Sequence, residues 1–69
     1  MENVKITGDF IKLDQLLKFV NLVGSGGEAK LLINEGRVKV NGVVETKRGT
    51  KVKKGDKISI DEEISYSIV

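Results

Sequence analysis

Apolar and polar residues alternate along Val4-Lys5-Ile6-Thr7 and the alternation stops at Gly8-Asp9, the pattern of a short, half-buried strand. The period then lengthens. Leu13, Leu16, Leu17, Val20 and Val23 recur at helical spacing within an arc of roughly 120°, which predicts a helix from about Lys12 to Val23 that buries this stripe. Asp14, Lys18 and Asn21 fall on the opposite side, and Phe19 and Leu22 lie outside the stripe, so this helix is expected to be covered on more than one side. Gly24 is a natural stop. Ser25 opens a second helix with Glu28 three positions on, a capping-box spacing that lets each side chain satisfy a backbone N–H of the other. Ala29, Leu32 and Ile33 form its core face, Lys30 and Asn34 project together from one flank, and Gly36 suits a left-handed terminator.

From Arg37 the period becomes two, with Val38 and Val40 pointing one way and Arg37 and Lys39 the other. Asn41-Gly42 is a strong hairpin signal, because both residues tolerate positive φ. Val43-Val44-Glu45-Thr46 is the returning strand. A plain two-residue turn would pair Val38 with Glu45 and Lys39 with Val44, an imperfect match of faces that leaves room for a bulge. Lys47-Arg48-Gly49-Thr50 is then a basic loop, Lys51-Val52-Lys53 a short strand and Lys54-Gly55-Asp56 a turn. Ile58 and Ile60 alternate with Lys57 and Ser59, and Ile64, Tyr66 and Ile68 with Ser65 and Ser67, a last strand placed to pair with the N-terminal one.

At 69 residues there is material for one core and little beyond it. With no cysteine and no histidine, disulfides, thiolate or imidazole metal sites and the commonest general base are all excluded, so stability must come from packing. The longest uninterrupted apolar run, Leu31-Leu32-Ile33, is far too short to span a membrane, and the N-terminus lacks a signal-peptide pattern, so the cytoplasm is the expected location. Net charge is only +2, but it is unevenly spread. Between Lys12 and Lys57 eleven basic side chains face five acidic ones, whereas Asp61-Glu62-Glu63 makes the far end acidic. Such polarity favours an anionic partner on one face.

Chemistry is scarce. No nucleophile–base pair, carboxylate pair or metal cluster is visible, and three consecutive carboxylates on a turn diverge, so Asp61-Glu62-Glu63 is expected to be a solvated loop. No catalytic residue, metal, cofactor or small-molecule substrate is expected. Ser25-Gly26-Gly27 admits two explanations: bare N–H groups at a helix N-terminus suit a phosphate, and paired glycines also permit a tight corner between helices. The coarse structure can bring Lys12, Lys30, Arg37 and Lys39 to one corner, matching the spacing of phosphates on a folded nucleic acid. Lys47, Arg48, Lys51 and Lys53 extend the same sign. Phe10, Phe19 and Tyr66 are the only rings and none sits in a known stacking pattern, so recognition should rest on backbone and shape more than on splayed bases.

The succession Leu13-Asp14, Leu16-Leu17, Ser25-x-x-Glu28-Ala29-Lys30, Ile33 and Gly36-Arg37-Val38-Lys39-Val40-Asn41-Gly42 resembles the S4 RNA-binding domain family, named after a ribosomal small-subunit protein. The resemblance spans about residues 12–56, including Lys54-Gly55-Asp56, and the whole chain, 1–69, looks like a stand-alone bacterial form of that single domain. It implies an α+β fold of the alpha-L type. Two packed N-terminal helices, about 12–23 and 25–35, would lie against a small, mostly antiparallel sheet that includes a short N-terminal strand.

The implied function is non-catalytic binding of structured RNA, of the ribosomal RNA or tRNA class, with possible ribosome association. The resemblance carries contacts over to Lys12, Lys30, Arg37 and Lys39, and with the residues read above the expected contact set is Lys12, Ser25, Gly26, Gly27, Lys30, Asn34, Arg37, Lys39, Lys47, Arg48, Lys51 and Lys53. Lys12 and Lys30 stand where the family has arginines, and Gly26-Gly27 replaces an arginine often found after the capping serine. Lysine loses the bidentate geometry of arginine, which points to weaker sequence specificity. Two alternatives stand beside it: a protein–protein adaptor using Leu31, Phe19 and the acidic turn, and a DNA-binding variant of the fold.

Overall fold

The computed structural model describes residues 2–69 and orders them as β1 (Glu2–Val4), β2 (Ile11–Lys12), α1 (Leu13–Phe19), α2 (Gly26–Asn34), β3 (Val38–Val40), β4 (Val43–Val44), β5 (Lys51–Val52), β6 (Lys57–Ile60) and β7 (Ile64–Ile68). The main sheet has the strand order β1-β7-β6-β3-β4, antiparallel except for the parallel β1–β7 pair. A separate two-stranded piece joins β2 to β5. Leu13, Leu16 and Leu17 of α1 and Ala29 and Ile33 of α2 join Val38, Ile58, Ile60, Tyr66 and Ile68 of the sheet in one buried cluster.

The first helix ends four residues earlier than its apolar stripe suggests. Asn21 enters the left-handed region at φ 61°, its N–H donates to the Lys18 carbonyl at 3.0 Å and the Leu22 N–H reaches the Leu17 carbonyl at 3.1 Å. This is a Schellman termination with asparagine as the left-handed residue, which a short polar side chain tolerates. Val23 is still buried because the chain folds back over the helix end, so the stripe continues in space after the helix has stopped. Of the two apolar residues outside the stripe, Leu22 is partly buried against the core whereas Phe19 is 60% exposed, so the expected further covering falls on Leu22 alone. Helix α2 ends by the same device. Gly36 has φ 74°, its N–H donates to Ile33 and the Arg37 N–H to Leu32. At its start the Ser25 Oγ accepts from the Glu28 N–H at 3.3 Å, the serine half of the expected box.

The N-terminal strand also differs from expectation: it covers Glu2–Val4 rather than Val4–Thr7 and runs parallel to β7, with Val4 opposite Ile68. The alternation behind the expectation is real, since Val4 and Ile6 are both buried, and the Ile6 N–H still bonds the Val69 carbonyl.

In the hairpin, Asn41 and Gly42 both have positive φ and the register is the plain one, Lys39 opposite Val44, with the Glu45 N–H donating to the Val38 carbonyl at 3.0 Å. There is no bulge at this pairing. The mismatch of faces costs little because β4 is an edge strand whose valines are left largely in solvent.

A side-chain clamp locks this hairpin to the turn after β5. Asn41 Nδ2 donates to Asp56 Oδ1 at 3.0 Å, the Lys57 N–H donates to Asn41 Oδ1, and the Lys53 N–H donates to Asp56 Oδ2. The Lys53 amide first, and Asn41 second, hold the Asp56 carboxyl below the usual carboxylate range. The Asn-Gly and Lys-Gly-Asp segments are therefore two halves of one structural joint.

Candidate nucleic-acid interface

The eight basic side chains expected at the interface fall into three groups set by different elements. The first is built on β2 and β5. Lys12 and Lys51 are direct cross-strand partners, so their side chains leave the same face of the β2–β5 piece, and both residues are exposed. The loop between β4 and β5 is pinned against this pair. The Leu13 N–H donates to the Thr50 carbonyl at 2.9 Å and the Asp14 N–H to the Arg48 carbonyl at 3.1 Å, satisfying two of the free amides at the start of α1. Arg48 is thereby fixed beside the pair, while Lys47 and Lys53 are exposed on the flanking segments. Among the described residues none of these five cations lies in an ion pair. Like charges directly opposite each other oppose strand pairing. An anion bridging Lys12 and Lys51 would remove that repulsion.

The second group lies on α2. Lys30 and Asn34 are exposed on one flank, and Ser25, Gly26 and Gly27 form the helix start. Neither glycine has positive φ, a Cβ at Gly26 would meet nothing within 4 Å, and one at Gly27 would meet only Ser25 Oγ at 3.8 Å. The tight corner therefore does not require them. Two residues of poor helix propensity open this helix with their N–H groups bare, ahead of Ala29, whose N–H is the first to donate to a helix carbonyl, that of Ser25.

The third group, Arg37 and Lys39, is engaged. Arg37 Nε and its NH2 nitrogen hold the two carboxylate oxygens of Asp61 at 2.9 and 2.6 Å, with Glu35 at 3.4 Å from the NH1 nitrogen, and Lys39 pairs with Glu62. Hydrogen bonding to Arg37 lowers the Asp61 pKa, and Lys39 does the same to Glu62. The acidic turn is exposed, as expected of a solvated loop, and two of its three carboxylates also pair with the cations beside and on β3. Lys12 belongs to the β2–β5 piece and Arg37 and Lys39 to the main sheet, so the four cations expected at one corner are carried by two sheets and a helix.

On the far flank of α2, Leu31 is 63% exposed and lines a groove of about 430 Å³ with Glu28, Glu35, Asp61 and Arg37. Three carboxylates against one guanidinium leave that rim net negative, which disfavours phosphate. Among the described residues there is no cluster of three metal-ligating side chains and no helix long and apolar enough to cross a membrane.

The S4 domain family matches this sequence over residues 4–69. The chain belongs to that family. Among relatives it is 35% identical, over 66 residues, to a Bacillus subtilis protein named "Probable ribosome maturation protein RlbA", covering 96% of this chain and 93% of that one. It is 43% identical over 49 residues to the Escherichia coli protein named "Putative RNA-binding protein YbcJ", covering 71% and 70% of the two chains.

The solution structure of Escherichia coli YbcJ, described as revealing an alpha-L motif involved in RNA binding, superposes with a TM-score of 0.74 at 34% identity over all of this chain and 87% of that one. The crystal structure of 30S ribosomal protein S4e from Thermoplasma acidophilum matches with a TM-score of 0.75 at 26% identity. The match covers 91% of this chain and about a third, 33%, of that protein. The α+β architecture is thus the alpha-L architecture of the S4 family.

Proposed function

We propose that residues 1–69 act as one non-catalytic module that binds structured RNA, of the ribosomal RNA or tRNA class, through phosphate and shape contacts. The observation that carries this is the exposed Lys12–Lys51 pair, held opposite each other without a carboxylate partner among the described residues. Arg48, Lys47 and Lys53 widen this surface, and Lys30, Asn34 and the bare amides of Gly26 and Gly27 extend it onto α2. Contact with phosphate oxygens positions a nucleic acid without reading its sequence. Relatives named as RNA-binding and ribosome maturation proteins support the same direction.

The test is a fluorescence-anisotropy titration of the full chain against a folded ribosomal RNA hairpin, a tRNA, a single strand and duplex DNA at several salt concentrations. Folded RNA is expected to bind most tightly, with log K falling linearly against log salt by about 0.7–0.9 per phosphate contact. Equal affinity for duplex DNA would establish the DNA-binding alternative, and salt-independent or absent RNA binding would overturn the proposal.

Arg37 and Lys39 contribute to this surface only after leaving Asp61 and Glu62. Asp61→Asn combined with Glu62→Gln is therefore expected to tighten RNA binding by about three- to tenfold at low salt, the gain that freed cations bring through counterion release. Unchanged affinity in the same titration would remove Arg37 and Lys39 from the interface.

A further inference from the structure

Two of the three aromatic residues in this chain are left outside the core. Tyr66 is buried, whereas Phe10 is 42% and Phe19 60% exposed. The rings come from different elements, Phe10 from the segment ahead of β2 and Phe19 from the last position of α1, yet both line one cleft of about 270 Å³. Ile6 and Ile11 supply further apolar walls, and among the described residues Lys5 is the one charged side chain in the lining and no carboxylate lies there. At one edge Lys51 Nζ stands 4.8 Å from the centroid of the Phe10 ring. Lys51 is also the cross-strand partner of Lys12, so the aromatic cleft and the cationic pair share a border.

We infer that this cleft is a stacking site for a single unpaired nucleobase, with the adjoining phosphates on Lys51 and Lys12. The inference deepens the RNA-binding proposal and rests on it. A cleft smaller than a typical drug-sized pocket admits one flat heterocycle and excludes a helix. Exposed phenyl faces are the surfaces on which proteins stack bases turned out of loops and bulges, and an adjacent lysine supplies the backbone charge that such a base brings with it. The rings and isoleucines offer a base its stacking surface and only Lys5, Thr7 and Gly8 offer polar groups, so the site senses that a base is unpaired more than which base it is. The surface would thereby distinguish a duplex interrupted by a bulge from a continuous one.

The probe is an RNA hairpin carrying one bulged 2-aminopurine, compared with the same hairpin bearing an abasic bulge and with a fully paired version. The bulged base is expected to raise affinity about fivefold or more over the abasic control, the low end of what one stacked base contributes. Its fluorescence should change on binding. Phe19→Leu, apolar and at an exposed position away from Lys51, is expected to erase that advantage while leaving affinity for the abasic hairpin and the salt slope unchanged, and Phe10→Leu to erase it as well. Equal binding of bulged and abasic hairpins, or equal losses on both with Phe19→Leu, overturns the stacking site alone. Failure of all three hairpins to bind in a salt-dependent way overturns the RNA-binding proposal and the stacking site with it.

Discussion

Replacing Lys12 and Lys51 together by glutamate is expected to weaken binding of a folded RNA by about 100-fold at 50 mM salt, because each phosphate contact contributes roughly one decade of affinity there through counterion release. The magnitude of the salt slope should fall by about 1.4–1.8. The fold should tolerate the change. The two side chains are exposed cross-strand neighbours, so the substitution exchanges one like-charge pair for another and removes only an exposed cation–π contact with Phe10. Circular dichroism and the urea midpoint should therefore match the parent protein while the anisotropy titration does not. A loss below about threefold would mean that the β2–β5 piece lies outside the interface and that the α2 flank of Lys30 carries the contacts. The isosteric control, Lys12→Gln with Lys51→Gln, should give an intermediate loss, since it removes attraction without adding repulsion.

A Leu17→Ala substitution is expected to destabilise the protein by about 2–5 kcal/mol, the range for truncating a fully buried leucine. Leu17 has no solvent exposure and packs in the single core cluster. Its carbonyl also receives the Leu22 N–H that closes the α1 terminus, a motif accompanied by a hydrophobic contact between these same two positions. With no disulfide to fall back on, a 69-residue domain holds only a few kcal/mol in reserve, so this one change should leave a sizeable unfolded fraction at 37 °C. Urea denaturation followed by far-ultraviolet circular dichroism checks this as a lowered midpoint at an unchanged m-value. Leu31→Ala, at a position 63% exposed, should stay within about 0.5 kcal/mol of the parent. Similar losses in the two variants would show that the packing described for α1 is not what holds the domain together.

Local signals located most of the elements because they depend on neighbours in sequence. The stripe of α1, the Ser25 cap, the Gly36 terminator and the Asn41-Gly42 turn all appear where spacing placed them. The end of α1 was misplaced for an identifiable reason. Gly24 is the more obvious left-handed residue, yet Asn21 takes that conformation, and Val23 keeps its buried place without being helical. Burial periodicity reports which side chains reach the core, not which backbone carries them there. The N-terminal strand was displaced for a similar reason, since only pairing with β7 decides which backbone groups along Glu2 to Ile6 enter the ladder.

The candidate site was legible as a set of residue types and illegible as an arrangement. Lys12 and Lys51 are thirty-nine positions apart, and nothing short of the β2–β5 pairing makes them neighbours. The engagement of Arg37 and Lys39 by Asp61 and Glu62 spans 24 and 23 positions and depends on the β3–β6 register. Phe10 and Phe19 looked unremarkable as isolated rings because only the packing of the pre-β2 segment against α1 sets them in one cleft.

By itself, then, the amino-acid sequence determined the helix–helix–hairpin order, the family and the absence of cysteine and histidine chemistry, all of which follow from composition or from residues a few positions apart. Tertiary structure alone decided which cations are free, which are neutralised and which aromatic faces meet solvent. Electrostatic and stacking interactions act over a few ångströms in space, and the chain brings their partners within that range only by folding.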